Sequence, residues 1–258
     1  MLDTLYILLL GAFMVVAYMG AGRLVLTHVH LAAWSTPFTS LLTGMGIWYL
    51  WFLVLHVTLG AGLNIVWWLY VACVAGLMVV MTKAHRLHEH TVRFFWPIVL
   101  VVLAITLPAF TFLVADKPIL WLELSHIVKN AHHMVMLNQV PTAQDVTQYF
   151  MNAPEGPMAF TATVLPVSLM AGKFIPSAYA LMALVLIGTL AGQLVRAAGV
   201  HLGWHNVVLA TAMALIGLTA LNPFFTPDLL FSAYPDVVIA VVLFAVCLPL
   251  MLPDAPGS

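Results

Sequence analysis

Residues 118–141 hold the side chains that could do chemistry. In a helix, where successive residues are about 100° apart, Glu123, His126, Asn130 and His133 share one face, which we call the polar stripe. A carboxylate one turn from an imidazole can abstract a proton, bind a divalent cation or hold a polar head group. The alternative is that the stripe only faces water. We predict an amphipathic helix at a membrane surface here, with a candidate site on its stripe.

Histidines offer two further kinds of site. His132 and His133, with His126, are of a type that binds metals, but adjacent helical residues diverge by about 100° and cannot both face one ion. We therefore predict no metal site from this group. His56 lies in an apolar run with small residues one turn later, which would leave room for a flat tetrapyrrole on its imidazole. It could instead hydrogen-bond to a neighbouring helix, and both interpretations stay open.

The composition is that of an integral membrane protein. Sixty-four per cent of the residues are hydrophobic and 7% are charged, whereas soluble domains have roughly 45–50% and 25%. The formal net charge is -1, and the few basic residues form no patch, which excludes a nucleic-acid partner. The lipid bilayer is therefore the first predicted partner.

The predicted fold is all-α, a polytopic transmembrane bundle of about eight spans in a single membrane domain. Residues 1–115 would form four N-terminal spans, 116–157 an extracytoplasmic loop with the interfacial helix, and 158–258 the C-terminal spans. The apolar runs behind this prediction are 5–26, 38–59, 63–81, 96–115, 158–172, 178–195, 207–221 and 237–252. The tryptophans of the second and third runs are interpreted as interface anchors: Trp48, Trp51, Trp67 and Trp68.

The basic residues predict the orientation of these spans in a bacterial inner membrane. Arg23 is taken as the end of the first span, and the loop after the third span, with Lys83, Arg86 and Arg93, should face the cytoplasm. The loop 116–157 is then extracytoplasmic. If residues 158–172 cross the membrane, Arg196 lies outside. If they only dip into it, Arg196 is cytoplasmic and Asp236 joins Glu123 at the outer face, which the positive-inside rule prefers.

Three passages resemble the GT-C superfamily of membrane glycosyltransferases. LELSHIVKNAHHMVMLNQVP is similar to an Asp-Glu-x-Ser-His-Trp element followed by Asn-Ala in the first large outer loop. APEGPMAFTATVLPVSLMAGKF resembles the entry into the next span, and LNPFFTPDLLFSAYPDVVIAVV a later Ser-x-Tyr-x-Asp element that ends at Asp236. Leu122 stands in place of the first motif's Asp, and Ile127 in place of its Trp. The likeness covers the front part of such an enzyme.

The resemblance implies transfer of a sugar from a polyprenyl phosphate at the extracytoplasmic face. It makes Glu123 the candidate base and Asp236 a second acid. His126 or Lys129 would lie near the phosphate, and Asn130 and His133 would help to bind the substrate. A divalent metal ion is the cofactor that this chemistry allows.

A second interpretation follows from Leu122, because a leucine cannot act as a base. The chain would then be a non-catalytic accessory subunit of a larger membrane complex, one that contains pigment or haem if His56 is a ligand.

Overall fold

The computed structural model describes residues 2–29, 36–83, 128–140, 158–197, 204–219 and Leu243. Every regular element in these ranges is a helix, which confirms the all-α prediction. The helices are α1 (Leu2–His28), α2 (Pro37–Phe52) with a π-helical turn (Leu53–Thr58), α3 (Leu63–Lys83), α4 (Val128–Leu137), α5 (Met158–Ala171), α6 (Ser177–Ala197) and α7 (Trp204–Thr219).

Four helices in the described part of the chain are long and apolar enough to cross a bilayer. They cover Leu5–His28, Pro37–Thr58, Leu63–Met81 and Ser177–Leu194, and they correspond to the first, second, third and sixth predicted spans. The membrane character of the chain is thus confirmed by helices of the required length. The predicted span at 96–115 lies outside the described residues, as does all of the last one except Leu243.

Arg23 does not end the first span, as the sequence had suggested. Helix α1 continues past it to His28, and Arg23 is only 5% exposed. Arginine is a good helix former, and its long side chain can be covered by neighbouring helices. A charged residue in an apolar run therefore does not mark the end of the helix.

Glycines bring α1 and α2 into backbone contact. A Cβ added to Gly22 would overlap the backbone of Ser40, and one added to Gly44 would overlap the backbone of Tyr18. These pairs show that the two helices are antiparallel, since 22 lies beside 40 and 18 beside 44. Close approach through small residues is a main source of helix association in lipid, where dispersion contacts replace the hydrophobic effect.

Helices α2 and α3 form a tight antiparallel hairpin. The π-helical turn ends at Thr58, and Gly60 adopts a φ of +68°, a left-handed conformation that suits glycine. The indole of Trp51 donates to the Val66 oxygen at 3.1 Å, and the hydroxyl of Tyr70 donates to the Gly44 oxygen at 3.1 Å. We call the two ends of the bundle the Gly60 end, at this turn, and the Lys83 end, where α3 stops about 31 Å away.

The described part of helix α5 is shorter than the bilayer. Its 14 residues span about 21 Å, against roughly 30 Å of bilayer hydrocarbon. Side chains at 162–169 are all buried, so α5 lies inside the bundle and not along its surface. Its interior proline, Pro166, prevents a continuous ladder of helical hydrogen bonds.

The stretch from Val140 to Phe174 begins and ends near the same end of the bundle. Val140 is bound to His56, beside the α2–α3 turn. After α5, the ring of Phe174 contacts His132 of α4, with the ring centroids 5.9 Å apart. Leu181, one turn into α6, touches Gly11 in the first half of α1. Helix α6 therefore starts towards the Gly60 end, and its buried length leads away from it.

Candidate functional site

Helix α4 carries the described part of the polar stripe, and its C-terminal end is fixed to the start of α3. Asn138 follows the helix with a φ of +56°, a left-handed conformation that asparagine tolerates better than most residues. Its side-chain oxygen accepts from the Asn64 amide at 2.8 Å, and its backbone oxygen accepts from the Leu63 amide at 3.1 Å. One residue thus satisfies two amides at a helix N-terminus.

His56 makes the second attachment, through both of its ring nitrogens. The amide of Val140 donates to Nε2 at 2.9 Å, so Nε2 carries no proton. Nδ1 then carries the proton and donates to the Ala61 oxygen at 2.6 Å. The ring also stacks on Phe52, with the centroids 5.5 Å apart. His56 therefore hydrogen-bonds to backbone of the α2–α3 turn and of the segment after α4, whereas the alternative stated from the sequence was a bond to a neighbouring helix.

Iron ligation at His56 would displace one of these bonds. A metal on Nε2 would occupy the position of the Val140 amide, and one on Nδ1 the position of the Ala61 oxygen. A tetrapyrrole at His56 stays a prediction, and it requires the segment of residues 138–140 to move. Within the described ranges, no three His, Cys, Asp or Glu side chains come together as a metal site.

The described members of the polar stripe are buried within the protein. Asn130 is 8% exposed and His133 is 9% exposed, and Ala131 and Met134 beside them are fully buried. His132 is exposed, as expected for a residue turned away from the stripe. For these two positions the stripe does not simply face water. An amide and an imidazole inside a bundle form a place where a polar group can be hydrogen-bonded away from bulk water.

Three residues predicted for the site lie in parts of the chain outside the described residues. This applies to Glu123, His126 and Asp236. Lys129 lies within α4, one position before Asn130, and only its backbone is described. The structure therefore locates only the α4 part of the stripe. The catalytic roles of Glu123, His126 and Asp236 stay predictions.

Two aromatic side chains donate hydrogen bonds to the backbone of α5 near Pro166. Pro166 has no N–H, so the oxygen of Ala162, four residues earlier, has no helical donor. The indole of Trp48 donates to this oxygen at 2.7 Å. The hydroxyl of Tyr18 donates to the next oxygen, that of Thr163, also at 2.7 Å. Trp48 of α2 thus replaces the donor that Pro166 lacks, and Tyr18 of α1 donates to the neighbouring carbonyl.

Two tryptophans interpreted as interface anchors are core residues instead. Trp48 and Trp67 are 0% exposed, and their rings meet edge to face with centroids 5.2 Å apart. Tyr18 and Tyr70 complete this aromatic cluster. The signal that the sequence interpretation overlooked is Pro166, because a proline inside a buried helix needs a donor from elsewhere and a buried Trp can provide one. Trp68 is 52% exposed, as an anchor or lipid-facing residue would be.

Comparison with known proteins adds no relative. No family model, curated protein or solved structure matches the chain.

Proposed function

We propose that the chain is a multi-pass protein of the bacterial inner membrane that transfers a sugar from a polyprenyl phosphate donor at the extracytoplasmic face. The observation that carries the proposal is the burial of Asn130 and His133, at 8% and 9% exposure, on a helix whose end is bound beside the Gly60 turn. Polar side chains inside an apolar bundle are costly and often mark a substrate path.

The topology of the proposal follows from the two ends of the bundle. The basic segment that starts at Lys83 would be cytoplasmic, and α4 ends at the opposite end of α3. Since the described part of α5 is shorter than the bilayer, and both Val140 and Phe174 lie near the Gly60 end, we favour the dipping alternative for 158–172. Arg196 would then be cytoplasmic, and Asp236 would return to the outer face with Glu123. The bundle would contain about eight membrane-inserted segments in total.

The proposed chemistry assigns one step to each group. Glu123 would take the proton of the acceptor hydroxyl, whose oxygen forms the new bond to the anomeric carbon as the bond from that carbon to the phosphate oxygen breaks. The leaving polyprenyl phosphate would be stabilised by His126, Lys129 or a divalent metal ion. Asn130 and His133 would hydrogen-bond to the sugar, with Asp236 as a second acid.

An accessory subunit is the second candidate, and Leu122 in place of the motif's Asp favours it. Turnover separates the two. Purified protein in nanodiscs is given a polyprenyl-phosphate sugar and an acceptor, and wild type is compared with Glu123→Gln. Activity in the wild type that falls by at least about a hundredfold in the variant supports the enzyme, since general bases contribute roughly 10²–10⁴. Equal turnover in both refutes the role of Glu123.

The matched control is Asn130→Asp, which keeps the size of the side chain and should raise the KM more than it lowers kcat. Inactivity of all three proteins, together with a stoichiometric partner after gentle purification, would support the subunit.

A further inference from the structure

We propose that His56 is a proton-operated latch that holds residues 138–140 on the α2–α3 hairpin and releases them when its imidazole is protonated. The proposal does not depend on sugar transfer. Its basis is the pair of hydrogen bonds made by the ring, 2.6 Å from Nδ1 to the Ala61 oxygen and 2.9 Å from the Val140 amide to Nε2.

The latch depends on protonation because its two bonds have opposite polarity. The Ala61 oxygen can only accept, and the Val140 amide can only donate, so the neutral ring with its proton on Nδ1 satisfies both. A second proton on Nε2 would face the N–H of Val140, donor against donor. The imidazolium keeps the Ala61 bond and loses the Val140 bond, so the connection to α4 is the one that opens.

The backbone around His56 has a conformation that is compatible with a local structural change. It lies in the π-helical turn, a rare conformation found frequently at functional sites. Among the described residues, this segment is also held by the two amides bound by Asn138, by the approach of the Asn138 side chain to Gly62, and by the packing of Val140 against the core. Release of Val140 would therefore loosen the end of α4, the helix that carries Asn130 and His133.

Within the described part of the chain, few other ionisable groups lie on the elements around the ring. Both ring nitrogens are occupied by backbone, so no charged side chain is bonded to them. The titratable groups on the elements packed around the ring are Tyr49 on α2, Tyr70 on α3, and Lys129, His132 and His133 on α4. Of these, only His132 and His133 ordinarily change charge between about pH 5 and 8.

Hydrogen exchange of the full-length protein in nanodiscs tests the latch. Three amides report on it, Val140, Leu63 and Asn64. After correction for the chemical exchange rate, their exchange should rise as the pH falls, by up to about tenfold per pH unit below the titration of the group, as a one-proton linkage requires. A peptide from α6 should stay protected, which distinguishes local release from unfolding.

Two variants assign the proton to His56. Gln at this position keeps an acceptor for Val140 and does not titrate, so His56→Gln should give exchange that is independent of pH. His132→Gln, at an exposed position, should keep the wild-type response. The proposal is overturned if wild-type exchange at these amides is flat between about pH 5 and 8, if His56→Gln keeps the transition, or if His132→Gln abolishes it. A flat wild-type profile overturns the proposal even if His56→Gln does not fold.

Discussion

Replacing Trp48 by Phe should destabilise the protein by an amount that depends on Pro166. The change removes the indole N–H that donates to the Ala162 oxygen at 2.7 Å and leaves that oxygen buried without a donor. A buried unsatisfied acceptor costs about 1–3 kcal/mol. The smaller ring adds a packing loss, so the single variant alone does not isolate the hydrogen bond.

A double-mutant cycle with Pro166→Ala isolates it. Alanine restores an N–H at position 166 that can donate to the Ala162 oxygen in the ordinary helical manner. In that background Trp48→Phe should cost less than in the wild type, with a coupling of about 1–3 kcal/mol, while the packing loss cancels between the two backgrounds.

The assay is reversible unfolding in mixed micelles, monitored by circular dichroism. Trp51→Phe is the control, because the Val66 oxygen that Trp51 reaches lies within a regular helix. Its effect should be smaller and should not change with Pro166→Ala. If Trp48→Phe costs the same in both backgrounds, the Trp48 indole does not replace the donor that is missing at Pro166.

The remaining predictions concern backbone positions. Asn138→Ala should destabilise the protein by about 2 kcal/mol, because it combines a left-handed φ of +56° with the loss of a side-chain hydrogen bond. Asn138→Gly should destabilise the protein less, since glycine adopts the left-handed φ without strain. An equal loss of stability in the two variants would contradict the role of the backbone angle. Gly44→Ala should prevent the close approach of α2 to the Tyr18 backbone and cost at least about 2 kcal/mol, whereas Gly46→Ala, where a Cβ meets nothing within 4 Å, should be neutral or stabilising by unfolding in the same micelles.

The helices that cross the membrane were predictable because length and hydropathy determine them. The third predicted span, 63–81, coincides with the observed one. The buried position of Arg23 inside α1 was not predictable, since a single charge in an apolar run says nothing about which neighbouring helix covers it. Its environment is set by tertiary packing.

The sequence predicted which residues share the polar stripe, but not where in the bundle the stripe lies. Helical periodicity placed Asn130 and His133 on one face, and both are buried. That this face turns into the bundle depends on Asn138 and His56, whose partners are 74 and 84 residues away in the chain. Contacts of that range leave no local pattern. The roles of Trp48 and Tyr18 as donors to α5 were likewise missed, although Pro166 was visible in the sequence.

Accessibility labelling in intact cells tests the central claim most directly, which is that the end of α4 and the Asp236 loop share the outer face of the membrane. Single cysteines are placed at Gln139, Ser232 and His88 in a chain whose Cys73 and Cys247 are replaced by alanine. The proposal predicts that a membrane-impermeant thiol reagent labels positions 139 and 232 directly and position 88 only after the cells are permeabilised. If position 88 is labelled from the same compartment as either of the other two, the proposed site at the outer face is wrong.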